Sequence, residues 1–280
     1  MNKMDNLSPI QNILSGFGGV VLPRAILAPY DTMKLISINH NGVIFPTLKK
    51  KLISEGIPSL WNGCICSFIQ IPPQFIFRYL LNNKISKYYP RLPKWFVSNT
   101  STLASIAAFY PLDVVYSLMQ YDQTKYPTIP KTLSKLLKED GITGLYKGLQ
   151  PTILGFFPFQ STKLLTYYMM EKLSLSRRFN FLNSYAGSLV TASVAMTTAQ
   201  AITYPFDVVR KRMICDPSFR KKRFHNVFKE IYHERGIVGF YDSFNLSLIK
   251  VVSGVWLQQT LTYEFKKIFE KFNYVMKYQT

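Results

Sequence analysis

The sequence is poor in charged residues, cysteine and histidine, and each shortage excludes a class of protein. Only 18% of its 280 residues are charged, whereas 48% are hydrophobic, and soluble domains usually carry more charge. The three cysteines, among them Cys64 and Cys66, are too few and too oddly spaced for a disulfide framework or a zinc finger. The three histidines are scattered in polar stretches. We therefore expect no histidine-based metal or catalytic site.

Acidic residues are also scarce. There are 15 of them against 34 Lys and Arg, which gives a formal net charge of +19. This excess favours an anionic partner: nucleic acid, acidic lipid or a small anion. A nucleic-acid-binding protein would spread its bases over an exposed face, whereas here they cluster at the ends of apolar segments and in short amphipathic ones. No nucleic-acid partner is expected.

Signatures of enzymes and of cleaved targeting peptides are missing too. No Ser-His-Asp set, HExxH, P-loop or GxGxxG stands out, so we expect neither an enzyme nor a cofactor. The N-terminal sequence MNKMDNLSPIQNILSGFGG has no basic region followed by an apolar core and a cleavage site, and it is not rich in Arg and Ser. Any targeting signal is therefore expected to be internal.

Two motifs, in contrast, occur three times each and in the same order. The first is a proline with an acid two residues later and a basic position three residues after the acid: APYDTMKL, YPLDVVYSLMQ and YPFDVVRKRM. The second reads SEGIPSLWNG, EDGITGLYKG and ERGIVGFYDS, at 54–63, 139–148 and 234–243. Such self-similarity indicates a repeat architecture. We divide the chain into repeats 1–90, 91–178 and 179–280, which form one integrated domain.

Each repeat follows one plan: a long apolar helix with the proline motif, a short amphipathic helix, and a second long apolar helix. The long helices are predicted at 9–38, 64–87, 94–120, 150–173, 182–213 and 245–269. Each can cross a hydrocarbon core of ~30 Å. Gly, Ser, Thr and Gln interrupt them, which suits helices with one lipid face and one wet face. The alternative is a soluble α-solenoid, whose repeats are shorter and whose helices carry more charge. We predict an all-α membrane protein with six transmembrane helices in three pseudo-symmetric repeats, each with a short amphipathic helix at one membrane surface.

The proline motif predicts a gate. A proline inside a helix removes one backbone hydrogen bond and kinks the axis, so three kinked helices around a pseudo-axis can converge at one end. The charges just past the kinks then meet. Charges near hydrocarbon are costly unless they face water or a partner. A ring of acid–base pairs between helices solves this problem, and such a ring, broken and reformed, acts as a gate.

The tripled motifs resemble those of the mitochondrial carrier family over nearly the whole chain. The resemblance implies a six-helix barrel around a water-filled cavity, amphipathic helices on the matrix side, and alternating access between two gates. It implies a multi-pass protein of the inner membrane of a mitochondrion or a reduced mitochondrion-related organelle. It also implies an acidic lipid such as cardiolipin as a partner, and a functional monomer.

On this resemblance, the acid of one proline motif pairs with the base of the next. Asp113 should pair with Arg210, and Asp207 with Lys34. These four residues form the charged part of the predicted matrix gate.

The remaining acid of the gate, Asp31, would face Tyr116, which can donate a hydrogen bond but carries no positive charge. The matrix gate is therefore expected to lack one ion pair. Gln120 stands where the family often places a bracing glutamine, with a solvated polar residue as the alternative. For the cytosolic gate the resemblance offers Tyr263, Glu264 and Lys267, but the other even helices cannot complete a ring of ion pairs. We expect hydrogen bonds and aromatic packing to hold that side.

Two cations lie at the level where the family binds substrate. Arg24 and Lys250 each stand alone in an apolar run, which is costly unless the side chain faces the cavity or extends to a membrane interface, which is the alternative. Together they suit a phosphate-bearing anion. Gln70 stands at the same level, where ADP/ATP exchangers have arginine. Arg78 and Lys163, two helical turns towards the cytosol, predict either a funnel that attracts anions or charges near lipid headgroups.

The helix-four positions and the RKRM run resemble those of the family's ADP/ATP exchangers most. Gly155 followed by Phe156 looks like carriers of adenine nucleotides, in which the glycine makes room for a flat base. Phe159 could stack on that base or pack in the core. We predict exchange of phosphate-bearing anions, in the first place ADP and ATP. The alternative is another phosphorylated anion: coenzyme A-like, thiamine pyrophosphate, a nucleoside monophosphate or phosphate.

Overall fold

The computed structural model describes residues 9–39, 45–61, 63–174, 184–220 and 222–279, and no strand occurs in those ranges. The helices are α1 (Pro9–Asn39), α2 (Phe45–Glu55), α3 (Cys64–Tyr88), α4 (Lys94–Tyr121), α5 (Ile129–Glu139), α6 (Gly141–Leu145), α7 (Leu149–Ser174), α8 (Tyr185–Cys215), α9 (Pro217–Arg220), α10 (Phe224–Arg235) and α11 (Phe244–Gln279). Two 3-10 helices, Ile57–Trp61 and Gly236–Tyr241, precede α3 and α11.

The six long helices α1, α3, α4, α7, α8 and α11 lie where the sequence predicts them. Their ends differ from the expected bounds by at most three residues, except that α11 continues to Gln279. The expected start of the fifth helix, at 182, lies outside the described residues. Two segments, α4 and 57–88 with α3, are long and apolar enough to cross a membrane by length and composition. The other four are interrupted by more polar residues.

The long helices close into a ring in chain order. The most extensive pairings join α1 to α11, α3 to α4 and α7 to α8, and further contacts join α1 to α3, α4 to α7 and α8 to α11. The three proline-motif helices α1, α4 and α8 also touch one another. Their prolines lie inside the helices and do not end them. This convergence brings the three proline motifs to one end of the ring.

The buried core gathers at that end. Tyr110, Val114 and Leu118 of α4 pack with Leu35 of α1 and Ile214 of α8. At the opposite end α1 and α11 approach closely. A β carbon at Gly18 would lie 2.6 Å from the Phe265 ring, and one at Gly19 would collide with Thr262. Glycine at these positions therefore fixes the register of α11 against α1.

Candidate functional site

The charges that follow the motif prolines form one cluster, with both expected ion pairs. The Arg210 guanidinium pairs with the Asp113 carboxylate. Lys34 Nζ lies 3.7 Å from Asp207 Oδ2, and Gln200 Nε2 donates to the same oxygen at 2.7 Å. These contacts hold α4 to α8 and α8 to α1.

The third position of the ring differs from the expectation. The Tyr116 hydroxyl donates to Asp31 Oδ2 at 3.3 Å, and Gln120 Nε2 donates to the Tyr116 oxygen at 2.9 Å. The Lys250 ammonium of α11 pairs with the other oxygen of Asp31. The expectation that this position lacks an ion pair is therefore wrong, because a long side chain from another helix supplies the charge. A carboxylate left unpaired at this depth would be costly.

A cavity of about 210 Å3 lies against this ring. Its charged lining consists of five bases and three acids: Arg24, Lys34, Arg210, Lys211, Lys250, Asp31, Asp113 and Asp207. Each acid has one of these bases as its partner. Of the two remaining bases, Lys211 donates to Ser117 Oγ at 3.0 Å, and Arg24 is exposed and forms no ion pair within the described part of the chain. The cavity therefore has two positive charges in excess.

A second cavity, of about 160 Å3, adjoins the first, since Asp207 borders both. Gly155, Phe156 and Phe159 line it. A β carbon at Gly155 would lie 3.1 Å from Phe206 Cβ, so the missing side chain allows α7 to approach α8 closely. Gln70 is buried, and it is not among the described residues that line either cavity. Its amide donates to the Phe109 carbonyl at 3.5 Å.

At the opposite end of the ring, the described parts of α3, α7 and α11 form no extensive pairing with one another. Tyr263, Glu264 and Lys267 are all exposed, and neither charged residue forms an ion pair within the ranges that the structure covers. The Tyr263 ring packs against Tyr185, with 5.4 Å between centroids. The residues proposed for the second gate are thus not joined in this state.

The two predicted funnel cations lie on α3 and α7. The exposed Arg78 guanidinium lies 5.0 Å from the Phe75 ring centroid. Lys163 is half-buried, and its Nζ lies 5.8 Å from the Phe159 ring centroid. Phe159 thereby connects Lys163 to the aromatic cavity.

Sequence reasoning missed two tyrosines, each directly before a motif proline. The Arg210 guanidinium lies 5.3 Å from the Tyr110 ring centroid, and Lys34 Nζ lies 4.8 Å from the Tyr204 ring centroid. Arg210 Nε also donates to the Tyr110 oxygen at 3.3 Å. Each tyrosine therefore supports the base that pairs with the acid three residues after it. The YP dipeptides in two of the repeats were the available signal.

The same tyrosines bind the second motif of their own repeat. Tyr110 donates to the Lys147 carbonyl at 2.9 Å, and Tyr204 to the Asp242 carbonyl at 2.7 Å. The first repeat has Ala28 at this position, and the base that it would support is replaced by Tyr116. The acid of the first repeat, Asp31, therefore lacks both a motif base and a tyrosine to support it, and Lys250 supplies the positive charge instead.

Comparison with known proteins identifies the family. The profile described as "Mitochondrial carrier protein" matches residues 5–93, 89–178 and 182–273, and the chain belongs to this family. It is 25% identical to "Mitochondrial substrate carrier family protein P" of Dictyostelium discoideum, over 86% of this chain and 88% of that one. It is 25% identical to "Mitochondrial coenzyme A transporter SLC25A42" of Danio rerio, over 87% and 82%. It is 27% identical to "Solute carrier family 25 member 16" of Homo sapiens, over 94% and 89%.

The expected fold class is thereby confirmed: an all-α membrane protein with six transmembrane helices in three repeats. The helices α2, α5 and α10 are the short matrix-side helices of these repeats. The protein is a carrier of the mitochondrial inner membrane. None of the three relatives is named an ADP/ATP exchanger, so the finer resemblance to those exchangers is not supported.

Proposed function

We propose that the protein transports a phosphate-bearing organic anion of the coenzyme A type across the mitochondrial inner membrane. The observation that carries this proposal is the cavity with five bases and three acids beside the matrix gate. Guanidinium and ammonium groups both bind phosphate well. Arg24 and Lys250 are the proposed phosphate contacts. The relative named a coenzyme A transporter supports this substrate class over ADP and ATP.

The adjoining aromatic cavity supports an adenine-containing substrate. Phe156 and Phe159 border it, and flat aromatic rings stack well on such side chains. Gly155 allows α7 and α8 to approach closely, so it does not by itself indicate room for an adenine ring. ADP and ATP share an adenine and a chain of phosphates with coenzyme A. On this ground they are the second candidate substrates.

The arrangement of charges supports alternating access. The ring of Asp31, Asp113 and Asp207 with their bases closes the matrix side, while no ion pair joins the described residues of the cytosolic gate. Transport then requires that the ring breaks and that the opposite end closes around Tyr263, Glu264 and Lys267. Acidic lipid such as cardiolipin is a further proposed partner, since lysines face outward along α5. We expect the monomer to be the functional unit.

The test is exchange in liposomes that contain only the purified protein. Vesicles are preloaded with coenzyme A, dephospho-coenzyme A, ADP, thiamine pyrophosphate or phosphate, and uptake of the same labelled compound is measured. We expect coenzyme A exchange to be fastest, and Arg24→Ala to slow it by about tenfold, which corresponds to ~1.4 kcal/mol. The matched control is Arg91→Ala, which removes an exposed arginine that lines neither cavity. Exchange of none of these phosphorylated compounds would refute the proposal.

A further inference from the structure

Lys250 is the most accessible base of the ring. Its side chain is 34% exposed, compared with 12% for Lys34 and 17% for Arg210. The exposed part faces the cavity of about 210 Å3, which Lys250 lines together with Arg24. An anion in this cavity can therefore reach the Lys250 ammonium, while the bases of the other two pairs are better shielded.

The cavity also offers an anion a place directly above the Lys250–Asp31 pair. Arg24 stands seven residues before Asp31 on α1, on the same helix face and about 10 Å along the axis. It has no acidic partner within the described ranges. A diphosphate or a phosphorylated nucleotide is long enough to contact Arg24 at one end and Lys250 at the other.

Asp31 keeps a hydrogen-bond donor when Lys250 leaves it. The Tyr116 hydroxyl already lies 3.3 Å from Asp31 Oδ2, and Gln120 holds that hydroxyl at 2.9 Å. A lysine at position 116 would pair with Asp31 from α4, and that lysine would not be one of the proposed substrate contacts. In this chain the charge comes from α11, and the cost of separating the pair is reduced by the remaining tyrosine.

We propose that Lys250 is shared between the gate and the substrate, so that a bound phosphate competes with Asp31 for the same ammonium group. Binding of the anion at Arg24 and Lys250 then breaks the third ion pair of the matrix gate. Without the anion, Lys250 returns to Asp31 and the gate closes. This inference rests on the proposed transport of a phosphate-bearing anion, and it adds how that anion opens the gate.

The experiment compares four variants with the wild type in proteoliposomes: Lys250→Gln, Tyr116→Lys, the double variant Tyr116→Lys/Lys250→Gln, and Arg24→Gln as the control. Labelled coenzyme A and labelled ADP are the probes. Exchange against the same internal compound gives KM and the maximal rate. Efflux into medium without any counter-substrate measures the leak through an incomplete gate.

Lys250→Gln is expected to raise KM by about tenfold and to increase efflux, because it removes a phosphate contact and a gate charge. The double variant should restore low efflux, since the lysine introduced on α4 can pair with Asp31, while its KM stays raised. Arg24→Gln should raise KM without increasing efflux. Tyr116→Lys alone should lower both KM and the maximal rate, because Lys250 is free but the gate no longer responds to the anion.

Different results overturn different claims. If the wild type exchanges neither probe nor any other phosphorylated anion, the proposed function and this inference both fail. If the wild type exchanges a probe but Lys250→Gln leaves KM unchanged, or the double variant leaks as much as Lys250→Gln, only the sharing of Lys250 is overturned. A loss of folding in Lys250→Gln would leave Tyr116→Lys to decide, and an unchanged maximal rate in that variant would refute the inference.

Discussion

Replacement of Tyr110 by phenylalanine tests how the gate base is held. The Tyr110 ring is fully buried, and its hydroxyl accepts from Arg210 Nε at 3.3 Å and donates to the Lys147 carbonyl at 2.9 Å. Tyr110→Phe keeps the ring under the guanidinium but leaves both partners without this group. A buried hydrogen bond to a charged donor, lost in this way, costs about 2 kcal/mol. For a protein of this size the expected fall in Tm is about 4–8 °C.

The buried cysteines allow Tm to be measured with a thiol-reactive dye. Cys64, Cys66 and Cys215 are all buried and free, so a thiol-reactive dye fluoresces only as the detergent-solubilised protein unfolds. The matched control is Tyr146→Phe, whose ring stacks on Tyr110 at 6.3 Å between centroids but whose exposed hydroxyl has no partner among the residues described. A fall in Tm no larger for Tyr110→Phe than for Tyr146→Phe would refute the role assigned to the Tyr110 hydroxyl.

Two further predictions concern the packing of α7 and the approach of the substrate. Gly155→Ala should lower Tm, because the added carbon lies 3.1 Å from Phe206 Cβ. Gly16→Ala, where a β carbon meets open space, should be neutral or stabilising by up to about 1 kcal/mol, and equal effects would contradict the packing argument. The double variant Arg78→Ala/Lys163→Ala should flatten the dependence of uptake rate on ionic strength, since it removes two cations that attract the anion. An unchanged salt dependence of uptake would exclude the funnel.

Much of the fold could be predicted because the repeated proline motif fixes the order and register of the three proline-motif helices α1, α4 and α8. Asp113 is the acid of the second motif and Arg210 the base of the third, so the convergence of α4 and α8 brings them together without further information. The helix bounds followed from the length of the apolar segments, which the membrane sets. The end of α11 did not, because its last turns lie beyond the apolar segment and are not limited by the membrane.

The pairing of Lys250 with Asp31 could not be predicted in the same way. Lys250 lies outside any repeated motif. Whether it lies level with Asp31 depends on how α11 is positioned along α1. That position is set by contacts such as Gly18 against Phe265 and Gly19 against Thr262, which no periodicity in the sequence reveals. Tyr110, in contrast, was visible as part of the YP dipeptide, and only its contacts with Arg210 and Lys147 required the structure.

The ring holds the three repeats together unequally. Repeats two and three share the Asp113–Arg210 pair, whereas repeats one and three share two pairs, Lys34–Asp207 and Lys250–Asp31. Repeats one and two share no ion pair among the ring residues that the structure describes.

At the matrix end, hydrogen bonds from α4 to α1 and from α2 to α4 join repeats one and two. Tyr116 donates to Asp31 within the ring. Nearer the matrix, Lys51 Nζ donates to the carbonyl of Gln120 at 2.7 Å and to that of Tyr121 at 3.3 Å. The Tyr116 contact joins a neutral donor to the Asp31 carboxylate at 3.3 Å, whereas the motif bases Lys34 and Arg210 bring a positive charge to the other two acids. The Tyr116 contact is therefore the weakest link of the ring. When a phosphate takes Lys250 from Asp31, the charge that anchors α1 at this point is lost as well. We therefore expect the matrix side to open first between α1 and α4.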